Sequence, residues 1–506
     1  MKQTVKTVAV ILAAITVSAQ VENQHSPSLA PKTRAARRLS SQINALLAEA
    51  EMAASSVSIL IQHRDSGETI YARDAERLLV PASNLKLYTT AVALELLGRN
   101  YKIRTSVLAR SLPDRNGKLE GDIVLYGRGD PSFKSRFNSI DGLSSLVDQL
   151  RNKGIKRIEG NIIADESYFK GTSLGYGWEW LDIQWPYGSQ LSALSILDNS
   201  FEVHIRPTQV GELAEVTVSP DVGYVTVKNL CRTTAARGKR DIGLHRGLEN
   251  NKLLVWGSIP KDDAGFACPV SIYQPARLAA ILFKSALEKA GISISGNIKL
   301  ADSSLLSEAL PTNPSEMLEL AYVESPPLTE LVRIINKFSN NLYAELLLRV
   351  LGRELGNPSI DSDQAGIEVL KDWLSRKQLD GRVVFYDGSG LSRRSLTNAS
   401  SIVSLLRYVA KSQIAADFEK SLPVIGLDGT LANRKNVALQ QRVRAKTGTL
   451  ANVSALSGYI TTAHGDELVF SILINNHPGG QQKMREFQDK VISLLSSSHQ
   501  SLKLNR

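Results

Sequence analysis

The sequence predicts an α/β fold: one domain split by a large, mostly β insertion that comprises two nested domains. Three observations carry the prediction. Two strand-like runs and an amphipathic helix stand before residue 100. A helical block, three strands and a terminal helix stand after residue 308. Short β-like runs broken by Gly, Asp and Asn fill the interval. At 506 residues the chain is also too long for a single core.

The first residues read as an export signal. Lys2 and Lys6 precede an apolar run from Val8 to Val17, and Val17-Ser18-Ala19 suits a small-residue cleavage site. Residues 1–19 are thus expected to be a signal peptide, and 20–36 a mobile leader. No later run is long and apolar enough to span a bilayer, and no cysteine follows the apolar run to carry a lipid. The expected location is periplasmic, or otherwise secreted to the cell envelope.

The split domain is expected over 37–100 and 308–506. Residues 37–53 read as a helix, and 57–61 and 69–71 as a hairpin around Asp65-Ser66-Gly67. Leu85, Thr89, Val92 and Leu96 fall on one face of the next helix, which Gly98 stops. After the insertion, helices fit 328–337, 342–355, 364–377 and 398–411. Strands fit 442–446, 454–461 and 467–474, and a last helix 483–495. Within the insertion, 101–200 and 267–307 form one domain, with helices near 142–153 and 274–290. The strongly β-like 201–266 is nested inside it. Cys231 and Cys268, the two cysteines, fit an oxidising compartment. They are candidates for one disulfide, and two unpaired thiols are the alternative.

A net charge of +10 suits an acidic partner such as an anionic envelope polymer or lipid headgroups. No helix-turn-helix, zinc spacing or RNA-binding aromatic motif is present, so nucleic acid is not expected. The seven histidines form no His-Glu-x-x-His, and Gly127-Arg128-Gly129 lacks the rest of a dinucleotide fingerprint. No metal and no cofactor are expected.

Three short stretches carry chemistry. Ser83 falls at the start of the Leu85–Leu96 helical pattern, with Lys86 one turn later on the same side. A serine hydroxyl needs a base within hydrogen-bond reach, and a lysine of lowered pKa serves as one. Ser-x-x-Lys recurs at Ser167–Lys170 and Ser258–Lys261, where glycines and Pro260 argue against a helix. Ser339-Asn340-Asn341 sits between two helices, able to point hydroxyl and amide into a cleft. Lys446-Thr447-Gly448-Thr449 lies on a strand, where Lys and Thr bind a carboxylate and Gly lets a ligand approach the backbone. Asp387-Gly388-Ser389-Gly390 is not a hydrolase nucleophile elbow.

In this order and setting, the three stretches resemble the active site of penicillin-binding proteins and serine β-lactamases. The long gap from Lys86 to Ser339 resembles the low-molecular-mass class C penicillin-binding proteins. These are the D-alanyl-D-alanine carboxypeptidase/endopeptidases of peptidase family S13, the penicillin-binding protein 4 type. Further stretches look alike: Gly127–Pro131, Gly177–Trp180, Ser192–Ser195, Tyr386–Ser392 and Asp428–Leu431. The resemblance implies a transpeptidase-like domain with two nested inserted domains. It implies peptidoglycan stem peptides as substrates, and β-lactams as acylating inhibitors. It implies Ser83 as nucleophile, Lys86 as base kept neutral by nearby Lys446, and Ser339 as proton relay. Asn341 would hold the substrate amide, and Lys446, Thr447 and Thr449 its carboxylate. The backbone N–H groups of Ser83 and Thr449 would form the oxyanion hole. Asp165 resembles a position that meets the amino group of a diaminopimelate side chain. A β-lactamase or esterase on the same scaffold, or a non-catalytic envelope-binding protein, are the alternative readings.

Overall fold

The computed structural model describes residues 33–137, 141–303, 307–379, 382–434, 442–498 and 500–502. The expected signal peptide, and all but the last four residues of the leader, lie outside them.

A five-stranded antiparallel sheet carries the first and last parts of the chain. Its order is Val443–Leu450, Val453–Thr461, Glu467–Asn475, Ser56–His63, Thr69–Arg73. The earliest strand therefore pairs with the latest, Ser56 opposite Asn475 and His63 opposite Leu468. Both faces are covered, which explains why Leu468–Ile474 reads as a continuous apolar run. Side chains of a strand alternate between faces. Leu468, Phe470, Ile472 and Ile474 pack with the helices Arg34–Leu47 and Gln481–Ser496. Val469 and Leu473 pack instead with the central helices, among them Lys86–Leu96, Leu328–Phe338 and Asn341–Leu355.

Between these halves the chain builds a second, mixed five-stranded sheet. Its order is Ile298–Ala301, Ile162–Asp165, Ile123–Tyr126, Arg104–Ala109, Leu318–Glu324. Three small three-stranded sheets accompany it. The helices Gly142–Asn152 and Pro275–Lys289 share its apolar core. Leu318–Glu324 pairs with Arg104–Ala109, so this segment belongs with the insertion's sheet and not with the helical block expected from residue 308. The chain leaves and returns at one place. Ile103 and Ser325 exchange hydrogen bonds (Ser325 N to Ile103 O, 2.8 Å; Ile103 N to Ser325 Oγ, 3.0 Å), and Leu328 N reaches Tyr101 O at 2.9 Å.

The cysteines are free thiols. Cys231 lies on Thr226–Thr234 opposite Gly257, and Cys268 on Phe266–Ser271 opposite Val203, in two different sheets. The disulfide is not formed. The short helix Ala415–Ser421 was not expected, because two turns show too little periodicity to read.

Two close backbone approaches fix the turn that carries Ser83. Gly448 lies where a Cβ would stand 2.7 Å from Pro81 O. Gly390 has φ +78° and would place a Cβ 1.9 Å from Ala82 O. Gly390→Ala is therefore expected to cost about 2–4 kcal/mol through strain and overpacking. Urea unfolding checks this, and an unchanged midpoint would contradict the contact.

Candidate active site

Ser83 is the second residue of a single 3-10 turn, Ala82–Leu85, which runs directly into the helix Lys86–Leu96. Ala82 holds the turn with φ +47°. The half-buried Ser83 hydroxyl faces a cleft, whereas Lys86 is 0% exposed. Lys86 Nζ has three hydrogen-bond partners: Ser83 Oγ at 2.9 Å, Asn341 Oδ1 at 2.6 Å and the Ser389 carbonyl at 2.7 Å. Burial pulls the Lys86 ammonium down to about 7, against the opposing attraction of Asp387 and Glu345. The expected repulsion from Lys446 is not the main cause. Desolvation is.

The loop that offers the Ser389 carbonyl is held by two buried carboxylates. Glu345 Oε1 accepts from the backbone N–H of Gly388 (3.0 Å) and Ser389 (2.8 Å). Asp387 accepts from Gly390 N, Ser392 N, Ser395 Oγ and Trp178 Nε1. Burial raises both carboxyls. This is what the Tyr386–Ser392 stretch does: it is a rigid bracket behind Lys86.

Ser339 ends the helix Leu328–Phe338 in the left-handed region, φ +56°. Asn340 then caps Asn341–Leu355 by accepting from Tyr343 N. A helix–turn–helix corner of three polar residues thus aims Ser339 and Asn341 into one cleft. Ser339 Oγ accepts from Lys446 Nζ at 2.8 Å. Asn341 donates from Nδ2 to the Tyr187 carbonyl at 2.8 Å while its Oδ1 fixes Lys86. Lys446 is also 0% exposed, and burial first, then the neighbouring Lys86, hold its ammonium well below the usual lysine range.

Lys446 to Thr449 lie on Val443–Leu450, the edge of the main sheet beside the Ser83 turn. Ladder parity decides which N–H groups face that turn. Ala445 N donates outward to Pro423 O (3.0 Å), so Thr447 and Thr449, two and four residues on, point their N–H groups to the same open side. The Ser83 N–H belongs to the first turn of its helix, where donors have no intrahelical partner. Thr447 Oγ1 donates to Thr430 Oγ1 at 2.8 Å. Thr430 is placed by Asp428, which accepts from Lys337 Nζ (2.5 Å) and Val424 N (2.8 Å).

Ser83, Ser339 and Thr449 border two cavities of about 520 Å³ each. One also contains Thr447, Arg434 and Arg485, the other Asn341, Tyr187, Glu179 and Asp182. Asp165 is in neither. It ends the strand Ile162–Asp165, is 0% exposed, and accepts from Ser167 N (2.8 Å) and Thr312 N (2.7 Å). Each of its oxygens accepts from a backbone N–H, so Asp165 anchors a turn in this structure. The other Ser-x-x-Lys copies lie away from the cleft, with Ser258 on Lys252–Pro260 and Lys170 bonded to Pro358 O. Glu345 and Asp182 were not singled out from the sequence, whereas Ser389 and Glu179 lie inside the stretches Tyr386–Ser392 and Gly177–Trp180 that were, without a role assigned to either.

No helix among the described residues is long and apolar enough to cross a membrane. Comparisons with known proteins agree with the geometry. A D-alanyl-D-alanine carboxypeptidase of Actinomadura sp. is 34% identical over 469 residues, 90% of this chain and 84% of that protein. A D-alanyl-D-alanine carboxypeptidase of Haemophilus influenzae is 27% identical, over 84% of this chain and 86% of its own. The crystal structure of penicillin binding protein 4 from Haemophilus influenzae superposes with a TM-score of 0.75 at 26% identity, covering 89% of this chain and 99% of that one. A second structure of that protein, in complex with a β-lactam, gives 0.71 at 25% identity, over 90% and 99% of the two chains. The D-Ala-D-Ala carboxypeptidase 3 (S13) family profile matches residues 39–497, strands, insertion and cleft together, and the chain belongs to that family.

Proposed function

We propose that the protein is a penicillin-sensitive serine peptidase that hydrolyses D-Ala-D-Ala ends, cross-links, or both, in peptidoglycan stem peptides. One observation carries the reading: a fully buried lysine amine, with its pKa lowered to about 7, bonded to the hydroxyl of a serine that opens on a cleft.

In this reading Ser83 Oγ attacks the carbonyl carbon between two D-alanines, and its proton passes to Lys86 Nζ. The carbonyl oxygen becomes an oxyanion facing the N–H groups of Ser83 and Thr449. When the carbon–nitrogen bond breaks, Ser339 gives its hydroxyl proton to the leaving amine and takes one back from Lys446 Nζ, which donates to Ser339 Oγ. Lys446, Thr447 and Thr449 receive the terminal carboxylate, whose charge favours the protonated form of Lys446 that burial opposes. Asn341 orients Lys86 through Oδ1 and offers Nδ2 to the acyl-side amide in exchange for the Tyr187 carbonyl. Water then attacks the ester carbonyl and gives up a proton to Lys446 through Ser339, while Lys86 returns its proton to Ser83 Oγ and the acyl group leaves as its acid.

The insertion, 101–200 with 267–307 and the nested 201–266, shapes access in this reading. Glu179 and Asp182 come from it and line the cavity beside Asn341; Glu179 pairs with Arg393 of the same cavity at 2.7 Å, which leaves Asp182 to suit an ammonium on the acyl side of the substrate. The export signal expected at residues 1–19 and the proposed substrate support a periplasmic or other cell-envelope location.

Benzylpenicillin is expected to add one acyl group to the protein, seen by intact mass, and none to Ser83→Ala. Rapid penicillin loss without an adduct would favour a β-lactamase, and neither adduct nor turnover would exclude a catalytic serine. The acylation rate also has a predicted sign with pH. The free amine of Lys86 is the base, so the rate rises as pH passes upward through about 7. A stopped-flow profile that stays flat between pH 5.5 and 8.5 would contradict this.

A further inference from the structure

The two cavities that meet at Ser83 differ in charge. Thr447, the expected carboxylate contact, lies only in the cavity that also holds Arg434 and Arg485. That cavity is therefore the leaving-group side. At about 520 Å³ it has the size of a site for a drug-sized ligand and exceeds one alanine. Arg434 is internally satisfied there: it pairs with Asp489 at 2.8 Å and donates to Gln488 Oε1 at 3.0 Å. Arg485 is not. It stands exposed on the helix Gln481–Ser496, one turn before Asp489, with no hydrogen bond or ion pair among the described residues. Two guanidinium groups face one carboxylate, which leaves the cavity net positive beyond Thr447.

We propose that this cavity is a leaving-group subsite and that Arg485 is its specificity-determining residue. It selects leaving groups that extend past the α-carboxylate and carry a second carboxylate. The inference rests on the serine peptidase reading and adds which leaving amine that site prefers. A free D-alanine fills only the Thr447 end, whereas the amine freed from a cross-link belongs to a second, anionic stem peptide that reaches Arg485. A guanidinium–carboxylate pair at an exposed position is worth up to about 1 kcal/mol and is weakened by salt, so a preference of about fivefold is expected.

Two peptides with the same acyl portion, ending in D-Ala-D-Glu and D-Ala-D-Gln, differ by one charge at nearly constant shape. The parent protein is expected to show a kcat/KM about fivefold higher for the D-Glu peptide at low salt, with active sites counted by benzylpenicillin labelling. Arg485→Ala is expected to bring the ratio to one, and Arg485→Glu to invert it. Equal rates in the parent, or a preference that survives in Arg485→Ala, would overturn the inference. A parent protein that takes no penicillin label and cleaves neither peptide would overturn the serine peptidase reading itself.

Discussion

The site depends on one unfavourable burial, that of the Lys86 amine. An ammonium at 0% exposure loses its hydration, and moving its pKa from 10.5 to about 7 corresponds to about 5 kcal/mol of preference for the neutral form. Asp387 and Glu345 pull the other way, so desolvation outweighs two nearby carboxylates. The sign for stability follows. Between about pH 7 and 10.5 the unfolded chain holds a proton on Lys86 that the folded chain has released, so this lysine opposes folding less as pH rises. Three groups from separate segments meet at Nζ and fix its geometry: as a free amine it donates to Asn341 Oδ1 and the Ser389 carbonyl and accepts from the Ser83 hydroxyl.

Those segments meet through topology. Ser83 follows the first two strands of the chain, Asn341 begins a helix after the insertion, and Ser389 lies on a bracket between later helices. Pairing of Ser56–His63 with Glu467–Asn475 brings the early and late parts into one sheet, which sets the edge strand Val443–Leu450 beside the Ser83 turn. The insertion does not disturb this, since its ends are stitched together at Ile103 and Ser325. A long excursion whose ends stay close costs little in loop closure, because that cost grows only logarithmically with length.

What was legible in the sequence was local. Ser83, Lys86, Ser339, Asn341, Lys446 and Thr447 sit in short motifs, and the structure brings them within hydrogen-bonded reach of one another or of one cavity. Glu345 was illegible because it is one acid on a long buried helix, and its role appears only when Gly388 and Ser389 fold against it. The burial of Asp165 was equally illegible: an acid before a turn looks exposed, yet its strand ends inside the core and each oxygen accepts from a backbone amide. Lys446 was expected to tune Lys86 by charge, but sequence cannot report the burial that does so. Leu318–Glu324 was missed as a strand because it lacks the alternation that marks one: Leu318 and Glu319 are both exposed, Leu320 and Ala321 both buried, and the pairing shifts register between Glu319 and Ala321.

The central claim is a neutral amine at Lys86, and the most direct measurement is its own titration. In protein labelled with 15N-lysine, the Nζ resonance that disappears in Lys86→Met is expected to titrate with a midpoint near 7. A midpoint near 10.5, the ordinary lysine value, would mean that the buried group keeps its charge and that the base invoked at Ser83 is not there.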